Sequence, residues 1–408
     1  MRPLDTIRVV AAGREFDAFD SVELSHDMTK PSEATLTFGD DGSTEIASAI
    51  LNGETWTIYV NDRPQLHGIA EMVDLAGTND QGSRCTVVVR TRLCDADVAS
   101  ADPKIKTEGV SIKKFIEDLF YPLGYEPSDF IVSDEAKVRA LLTGATSSST
   151  LARKDLETIR PTQAKAQIGE SIRECATRHL ERHGLLMWDS PDGKLIIGRP
   201  DDAQRPSYAF RSKRLGPESN NLIGVRRVKD WTGVPAEVAI YGAAMSRGDL
   251  PPSETGDDAP VNKGQTKSFG AKVRNPQIVG SGTTPENRRM TMQATGVSNS
   301  AQATARATRE MSRLSMRSNT WELLTDGWSY DPAGKRLVYG VNTVGTIDCD
   351  IMGAPSGSVL IYRVGFSWES DRGFVTSLGA VAPGIWRTEA EEVSLRDKLQ
   401  RISGGSNA

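Results

Sequence analysis

Hydrophobic and polar residues alternate over short stretches in the first hundred residues. Between Thr55 and Val60, the apolar residues Trp56, Ile58 and Val60 occupy every second position. This period of two is typical of strands that bury one face. Similar short runs separated by glycine and asparagine turns indicate a small barrel or sandwich. We therefore expect residues 1–100 to form a first β-barrel domain.

The pattern changes to a helical period in the middle of the chain. Residues 162–200 predict a helix that begins near Thr162 and ends before Gly184, followed by a hairpin that turns at residues 190–193. The apolar face of the helix is predicted to carry Ile168, Ile172, Cys175, Ala176 and His179. Residues 101–205 are thus expected to form a helical, α+β middle domain around this helix-hairpin.

Strand-like patterns return in residues 206–241 and, after a helix at residues 299–318, continue to residue 387. We expect these two segments to form a second β-barrel domain. Residues 67–89 and 362–378 both show strand, polar glycine turn, strand, which suggests a duplicated barrel. Residues 242–298 are polar and predict a long loop or small insertion, and residues 388–408 predict a C-terminal helix.

Composition fits a chain of several domains that is rich in turns. The chain has 408 residues, 37 glycines, 20 prolines and a net charge of −5. That charge gives no overall basic field to attract nucleic acid or membranes. No apolar run approaches the roughly 20 residues of a membrane helix, and the N-terminus lacks the pattern of a secretory signal. The four separated cysteines predict free thiols: Cys85, Cys94, Cys175 and Cys349.

The sequence carries little that indicates catalysis or a cofactor. His179 and His183 lie one helical turn apart, but Leu180 stands where a metalloprotease helix has glutamate. A third ligand is not evident, so we expect no metal. No nucleophile elbow or triad signature is present, whereas a pair of glycosidase carboxylates can be neither picked out nor excluded from spacing.

One basic stripe follows the helix at residues 299–318. Its members are three or four residues apart and so share one face: Arg306, Arg309, Arg313 and Arg317. The stripe is consistent with contact to DNA phosphates or to an acidic partner. A solvated face beside a packed one is the more common meaning of such a stripe.

The order of these parts resembles that of a known family. The segment LNGETWTIYVNDRPQLHGIAEMVDL is followed by helices, by a helix-hairpin ending in PDGKLIIGRP, and by a second β-domain. This arrangement resembles the central baseplate hub proteins of contractile-tailed phages, in particular the Mu-like tail proteins. The resemblance implies a mainly β fold with α+β insertions, in which two similar small β-barrel domains flank a helix–hairpin middle region.

The resemblance also implies a function. Such hubs are homotrimers whose six barrels form a pseudo-sixfold ring, which adapts the sixfold tail tube to the threefold spike and lets DNA pass during genome ejection. The expected partners are further copies of the chain, the tail tube protein, other baseplate subunits and a separate spike protein, since the chain ends soon after Trp386. The expected place is the virion tail baseplate, assembled in the host cytoplasm, without enzymatic activity, cofactor or membrane binding.

Two questions stay open at this stage. The C-terminal helix would present an apolar stripe made of Leu395, Leu399 and Ile402. This stripe could pack on the second barrel of its own chain or dock on another baseplate subunit. The alternatives to a structural hub are a tail-associated peptidoglycan hydrolase and an all-β carbohydrate-binding module.

Overall fold

The computed structural model describes residues 5–11, 13–40, 53–78, 82–105, 112–132, 166–181, 185–198, 200–202, 204–214, 220–242, 270–274, 288–294, 300–331, 336–350 and 357–383. Strands dominate this part of the chain, as the short alternating runs predict. None of the helices among these residues has both the length and the hydropathy needed to cross a lipid bilayer.

The first β-region contains seven strands: β1 (Ile7–Ala11), β2 (Arg14–Phe16), β3 (Ser21–Asp27), β4 (Lys30–Asp40), β5 (Thr55–Val60), β6 (Arg63–Thr78) and β7 (Gly82–Arg90). Strand β5 has the predicted bounds, and its alternate residues Trp56, Ile58 and Val60 are fully buried. Asn61 and Asp62 both have positive φ, 51° and 61°. Such a pair makes the tight turn whose twist suits the β5–β6 hairpin.

The middle unit combines three α-helices, two short 3-10 helices and three strands around its own hydrophobic cluster. Its elements are α1 (Asp95–Val98), α2 (Ile112–Phe120), two 3-10 helices (Tyr121–Leu123 and Pro127–Asp129), β8 (Phe130–Val132), α3 (Ile172–Glu181), β9 (Leu186–Asp189) and β10 (Leu195–Gly198). Strands β9 and β10 form the antiparallel hairpin, and β8 adds to β10 in parallel.

Helix α3 begins later than the sequence pattern predicts. Ser171 Oγ accepts a hydrogen bond from the Glu174 amide, and the Glu174 carboxylate accepts one from the Ser171 amide. This reciprocal capping box fixes the start of the helix at Ile172. Ile168 precedes the helix and is 96% exposed, so its assignment to the buried face is wrong. The proposed cap Thr162 and the stop at Gly184 lie outside the described residues.

The remaining elements are β11 (Tyr208–Ser212), β12 (Leu222–Lys229), β13 (Glu237–Gly242), β14 (Gly270–Arg274), β15 (Arg289–Ala294), α4 (Ser300–Ser318), β16 (Asn319–Asp326), β17 (Ser329–Tyr330), β18 (Leu337–Val338), β19 (Thr343–Cys349), β20 (Gly357–Glu369) and β21 (Gly373–Val381). Six of these strands, β11, β12, β16, β19, β20 and β21, belong to the large sheet and are called the second β-region below.

Two strands lie inside the segment that was expected to be a polar loop or a small insertion. Strands β14 and β15 flank β13 in a separate three-stranded sheet, and α4 packs on that sheet through Ala307 and Met311. For residues 242–298 the sequence left a long loop or a small insertion open, and the strands at residues 270–274 and 289–294 do not fit the loop alternative. That alternative failed because the strands are short and polar on one face, while their apolar residues pack on a helix that follows later in the chain. Strand β13 likewise belongs to this small unit rather than to the second β-region.

The two β-regions share one sheet and one core. Strand β3 of the first region pairs with β20 of the second, so the large sheet runs through both. Its hydrophobic cluster contains residues of both regions, among them Trp56, Phe38, Trp328 and Phe366. The two regions are therefore packed against each other as one body within the chain.

Candidate functional site

The first and second β-regions use the same order of strands. Hydrogen-bonded neighbours follow the order β3-β4-β7-β6-β5-β1 in the first region and β12-β16-β21-β20-β19-β11 in the second. When the short strand β2 is left out and the other six strands of each region are numbered along the chain, the order is 2-3-6-5-4-1 in both regions. One pairing differs, because β1 runs antiparallel to β5 whereas β11 runs parallel to β19.

A β-bulge at the same place in both regions aligns them residue by residue. In β6 the register with β7 shifts between Ala70 and Met72, and in β20 the register with β21 shifts between Ile361 and Arg363. Counting from the bulge makes Val73 equivalent to Val364. It also makes Leu75 equivalent to Phe366. A shared bulge is a specific local feature and supports a structural repeat.

The joint between the regions is an antiparallel pairing of β3 with the far half of β20. Residues 357–361 of β20 pair with β19, and residues 363–369 pair with β3 on the same edge. Leu24 lies opposite Phe366, and both side chains are 1% exposed. The rings of His26 and Phe366 pack in a T-shaped arrangement with 6.2 Å between centroids. The joint is thus a buried, continuous stretch of sheet.

A second contact ties the start of the chain to the second region. Asp5 accepts hydrogen bonds from the Trp328 amide at 2.6 Å and from the Ser329 hydroxyl at 2.7 Å. The side-chain amide nitrogen Nδ2 of Asn61 also donates a hydrogen bond to this carboxylate at 2.6 Å. Three donors on a buried carboxylate compensate its loss of hydration. This contact therefore helps to hold the two regions in one orientation.

A buried polar cluster fastens the middle unit to the first region. Asp189 at the end of β9 accepts bonds from the Ser32 amide at 2.9 Å, from the Ser32 hydroxyl at 2.8 Å and from the Thr91 hydroxyl. The Ser32 hydroxyl oxygen lies 2.9 Å from Nδ1 of His26. All four side chains are at most 4% exposed.

Serine, histidine and aspartate in contact raise the question of a hydrolytic triad. The single hydroxyl proton of Ser32 goes to Asp189, so Nδ1 of His26 must donate to Ser32 rather than take its proton. In a triad the histidine is the base and the carboxylate orients it. Burial lowers the pKa of His26 to about 4, against a weaker opposing effect of Asp189. The cluster of neutral His26, Ser32 and the buried Asp189 carboxylate therefore has a structural role, which is to hold the middle unit on the first β-region.

Other expected chemistry can be placed in the structure as well. His179 is buried, and its ring packs in a T-shaped arrangement with the Phe115 ring at 4.8 Å between centroids, while His183 lies outside the described residues. No cluster of three metal-ligating side chains occurs in the described ranges. A polar cleft of about 160 Å³ near Tyr330 and Tyr339 is smaller than the roughly 300 Å³ at which small-molecule sites begin.

The arginine stripe lies on α4, the helix that covers the three-stranded sheet. The carboxylate of Glu310, which is buried, lies 3.7 Å from Arg306 and 2.9 Å from Arg313. These ion pairs neutralise part of the charge of the stripe. The side chains of Arg309 and Arg317 lie outside the described part, as does the whole predicted docking helix with Leu395, Leu399 and Ile402. Contact of either surface with DNA or a partner stays a prediction.

Sequence reasoning did not predict that strands β3 and β20 pair and so join the two β-regions. Strands β3 and β20 lie in the two stretches that were expected to form β-barrels, but nothing local shows that they pair across more than three hundred residues. The bulge was also not recognised. Its signal was available only as a loose similarity between the two hairpins β6–β7 and β20–β21.

Comparison with solved structures places this fold among phage tail proteins. The prophage MuSo2 43 kDa tail protein from Shewanella oneidensis matches with a TM-score of 0.66 and 16% identity, over 93% of this chain and 99% of that one. The tail protein from Neisseria meningitidis MC58 matches with a TM-score of 0.69 and 16% identity, over 94% and 98% of the two chains.

A more distant match comes from a secretion system. The c3393 protein of E. coli, a type VI secretion component with structural similarity to the T4 bacteriophage tail proteins gp27 and gp5, has a TM-score of 0.51 and 11% identity, over 91% of this chain and 74% of that one. No protein-family model and no curated protein matches the sequence. At these identities the likeness shows the fold, which is that of prophage tail proteins.

Proposed function

We propose that this chain is the structural hub of a contractile phage tail baseplate. In this proposal it forms a homotrimeric ring that adapts the sixfold tail tube to a threefold spike and surrounds part of the DNA channel. The observation that carries the proposal is the repeated strand order of the two β-regions. A chain with two equivalent modules presents six modules when three copies form a ring, which is the number that a sixfold tube requires.

The structural neighbours support a role in the phage tail, since two are tail proteins and one is a secretion component that resembles tail proteins. In the proposal each six-stranded module acts as one small barrel. The partners are further copies of the chain, the tail tube, a separate spike and other baseplate subunits. The C-terminal stripe at Leu395, Leu399 and Ile402 docks on such a subunit, and the arginines of α4 face DNA or an acidic partner.

A solution mass measurement combined with a cell-wall assay tests this proposal. We expect a species of three chains, about 133 kDa for chains of 44.3 kDa, and no clearing of a peptidoglycan gel. A protein that remains a single chain at all concentrations and clears the gel would instead support the hydrolase. Retention on a glycan array by the single chain would support the carbohydrate-binding module.

A further inference from the structure

Several strand edges have no partner among the described residues, and two of them, on β6 and on β12, belong to the large sheet and are related by the repeat. Residues 70–78 of β6 pair with β7 on one side, and no strand among the described residues pairs with their other edge. Strand β12 pairs with β16 only, so its outer edge is open in the same sense. Open edges expose backbone donors and acceptors and readily pair with another chain.

These two edges are the equivalents of the edges that meet in the internal joint. Strand β6 holds the place in the first region that β20 holds in the second, and β12 holds the place of β3. The chain therefore contains the joint once, as β3 with β20, and contains both halves of a second joint, β6 and β12, that are not paired with each other. Since they do not meet within one chain, a second copy is the occupant that the repeat provides.

The side chains on the two open edges fit such a contact. Of the eight exposed large hydrophobic side chains among the described residues, three lie here: Met72 (51%), Leu75 (61%) and Ile223 (58%). Met72 and Leu75 are three residues apart, so each face of the open half of β6 carries one exposed apolar side chain.

Charge on the two edges is complementary. The open half of β6 carries the carboxylates of Asp74 and of Glu71, which pairs with Arg90 of the same chain. The charged residues of β12 are all cations, namely Arg227, Lys229 and Arg226, which pairs with Glu322 of the same chain. Opposite charges on facing strands steer association and disfavour pairing of either edge with itself. A contact between unlike edges is heterologous and so propagates around a ring instead of closing as a dimer.

We infer that β6 of one copy pairs antiparallel with β12 of the next copy, in the register of the internal joint. The internal pairs Phe366–Leu24 and Ser367–Glu23 give the equivalent pairs Leu75–Arg227 and Ala76–Arg226. In this register Leu75 packs beside Val225 and the methylenes of Arg227. Asp74 lies diagonal to Arg226 on the other face. The inference rests on the proposed ring and names the surfaces that build it.

Disulfide trapping tests the register, and the internal joint supplies its control. Residues directly opposite in an antiparallel pair have Cα atoms about 4.5–5.5 Å apart, within the range of a disulfide. Full-length protein with Ala76→Cys and Arg226→Cys should, on mild oxidation, give covalent species of two and three chains in denaturing electrophoresis without reductant. The matched variant with Glu23→Cys and Ser367→Cys should form its disulfide within one chain and stay at the single-chain mass.

Two further controls exclude incidental crosslinks. Met72→Cys with Arg226→Cys shifts the pair by four residues, about 13 Å along the strand, and should give no interchain product. The wild-type chain should also give none, since Cys85, Cys175 and Cys349 are buried and burial raises the pKa of Cys94 to about 12.

The possible results separate the inference from the proposed function. If the Glu23–Ser367 pair closes but the Ala76–Arg226 pair gives only single chains, the β6–β12 contact is wrong; a trimer found by mass would then leave the proposed hub in place. Equal trapping of the shifted pair would overturn the register. If the Glu23–Ser367 pair closes, while the Ala76–Arg226 pair gives no interchain product and no three-chain mass is found, the inference and the trimeric hub are contradicted together.

Discussion

Strands β6 and β20 hold the same position in the two β-regions but meet different surroundings. Phe366 of β20 is covered by β3 and is 1% exposed, while its equivalent Leu75 of β6 is 61% exposed. The facing strands differ in the same way, because His26 of β3 is buried and its equivalent Lys229 of β12 is exposed. The joint between β3 and β20 is thus complete inside the chain. The strands β6 and β12 instead expose the side chains that a second copy would cover in the inferred contact.

The largest expected effect is a difference in the free energy of unfolding between variants at the equivalent positions Phe366 and Leu75. Phe366→Ala removes a ring from a packed core and should lower the free energy of unfolding by about 3–5 kcal/mol. Leu75→Ala should change it by less than about 0.5 kcal/mol in the isolated chain, since the side chain is exposed. Denaturant unfolding of both variants checks this. A large loss with Leu75→Ala would mean that β6 is covered within its own chain.

At one equivalent cross-strand pair the two regions place the large and the small residue on opposite strands. Trp56 lies opposite Gly68 in the first region, and Gly345 lies opposite Val359 at the equivalent place in the second. A Cβ on Gly68 would lie 2.1 Å from the Arg90 carbonyl oxygen. Gly68→Ala should therefore cost about 3 kcal/mol or more.

Thermal unfolding beside a matched glycine variant measures this cost. A Cβ on Gly340 meets nothing within 4 Å. Gly340→Ala should therefore leave the midpoint nearly unchanged. Equal midpoints for the two variants would contradict the close approach of β6 and β7.

Acid should weaken the completed joint through His26. Its folded pKa of about 4 lies below the usual 6.5, so the unfolded chain binds the proton more strongly. The stabilisation from the neutral ring is complete above pH 6.5 and is lost as the pH falls towards 4, by roughly 3 kcal/mol. His26→Asn retains a donor towards Ser32 and should lose this part of the pH dependence. Parallel slopes for both proteins between pH 6.5 and 4 would show that His26 is not the titrating group.

A smaller effect is expected from charge on the open edges. Asp74→Lys places a cation opposite the basic strand β12 and should weaken association several-fold without changing the unfolding of the single chain. Arg226→Glu in the same chain should restore part of the association. Sedimentation at several protein concentrations measures both. Weakening by the single variant that the second change does not relieve would count against the diagonal contact of Asp74 and Arg226.

The smallest effect on stability is expected from the C-terminal stripe. Removal of residues 388–408 should leave the unfolding midpoint of the isolated protein unchanged and weaken assembly with other baseplate subunits. A midpoint lowered by several degrees would instead place Leu395, Leu399 and Ile402 in the chain's own core.

Local pattern predicted most of the strands because alternation such as that of Trp56, Ile58 and Val60 depends only on neighbours. It placed the start of α3 wrongly, although Ser171 and Glu174 have the spacing of a capping box. Strands β14 and β15 were missed, although Val273, Met290 and Met292 are the residues that pack on α4. These apolar residues are few and surrounded by polar ones.

The candidate site could not be predicted because it depends on pairing between distant parts of the chain. Leu24 and Phe366 are ordinary strand residues in sequence, and only the fold brings them opposite each other. The contrast between Phe366 and Leu75 likewise requires the bulge alignment, which no local pattern provides. The family resemblance anticipated a repeat, whereas its joint and its open edges emerged from the strand register.

A reconstruction of the assembled tail at the level of this chain tests the central claim most directly. The proposal predicts three copies around the axis, with first and second β-regions alternating in a ring and β6 of each copy beside β12 of the next. Six copies or a single copy at that level, or a ring in which like edges meet, would contradict it.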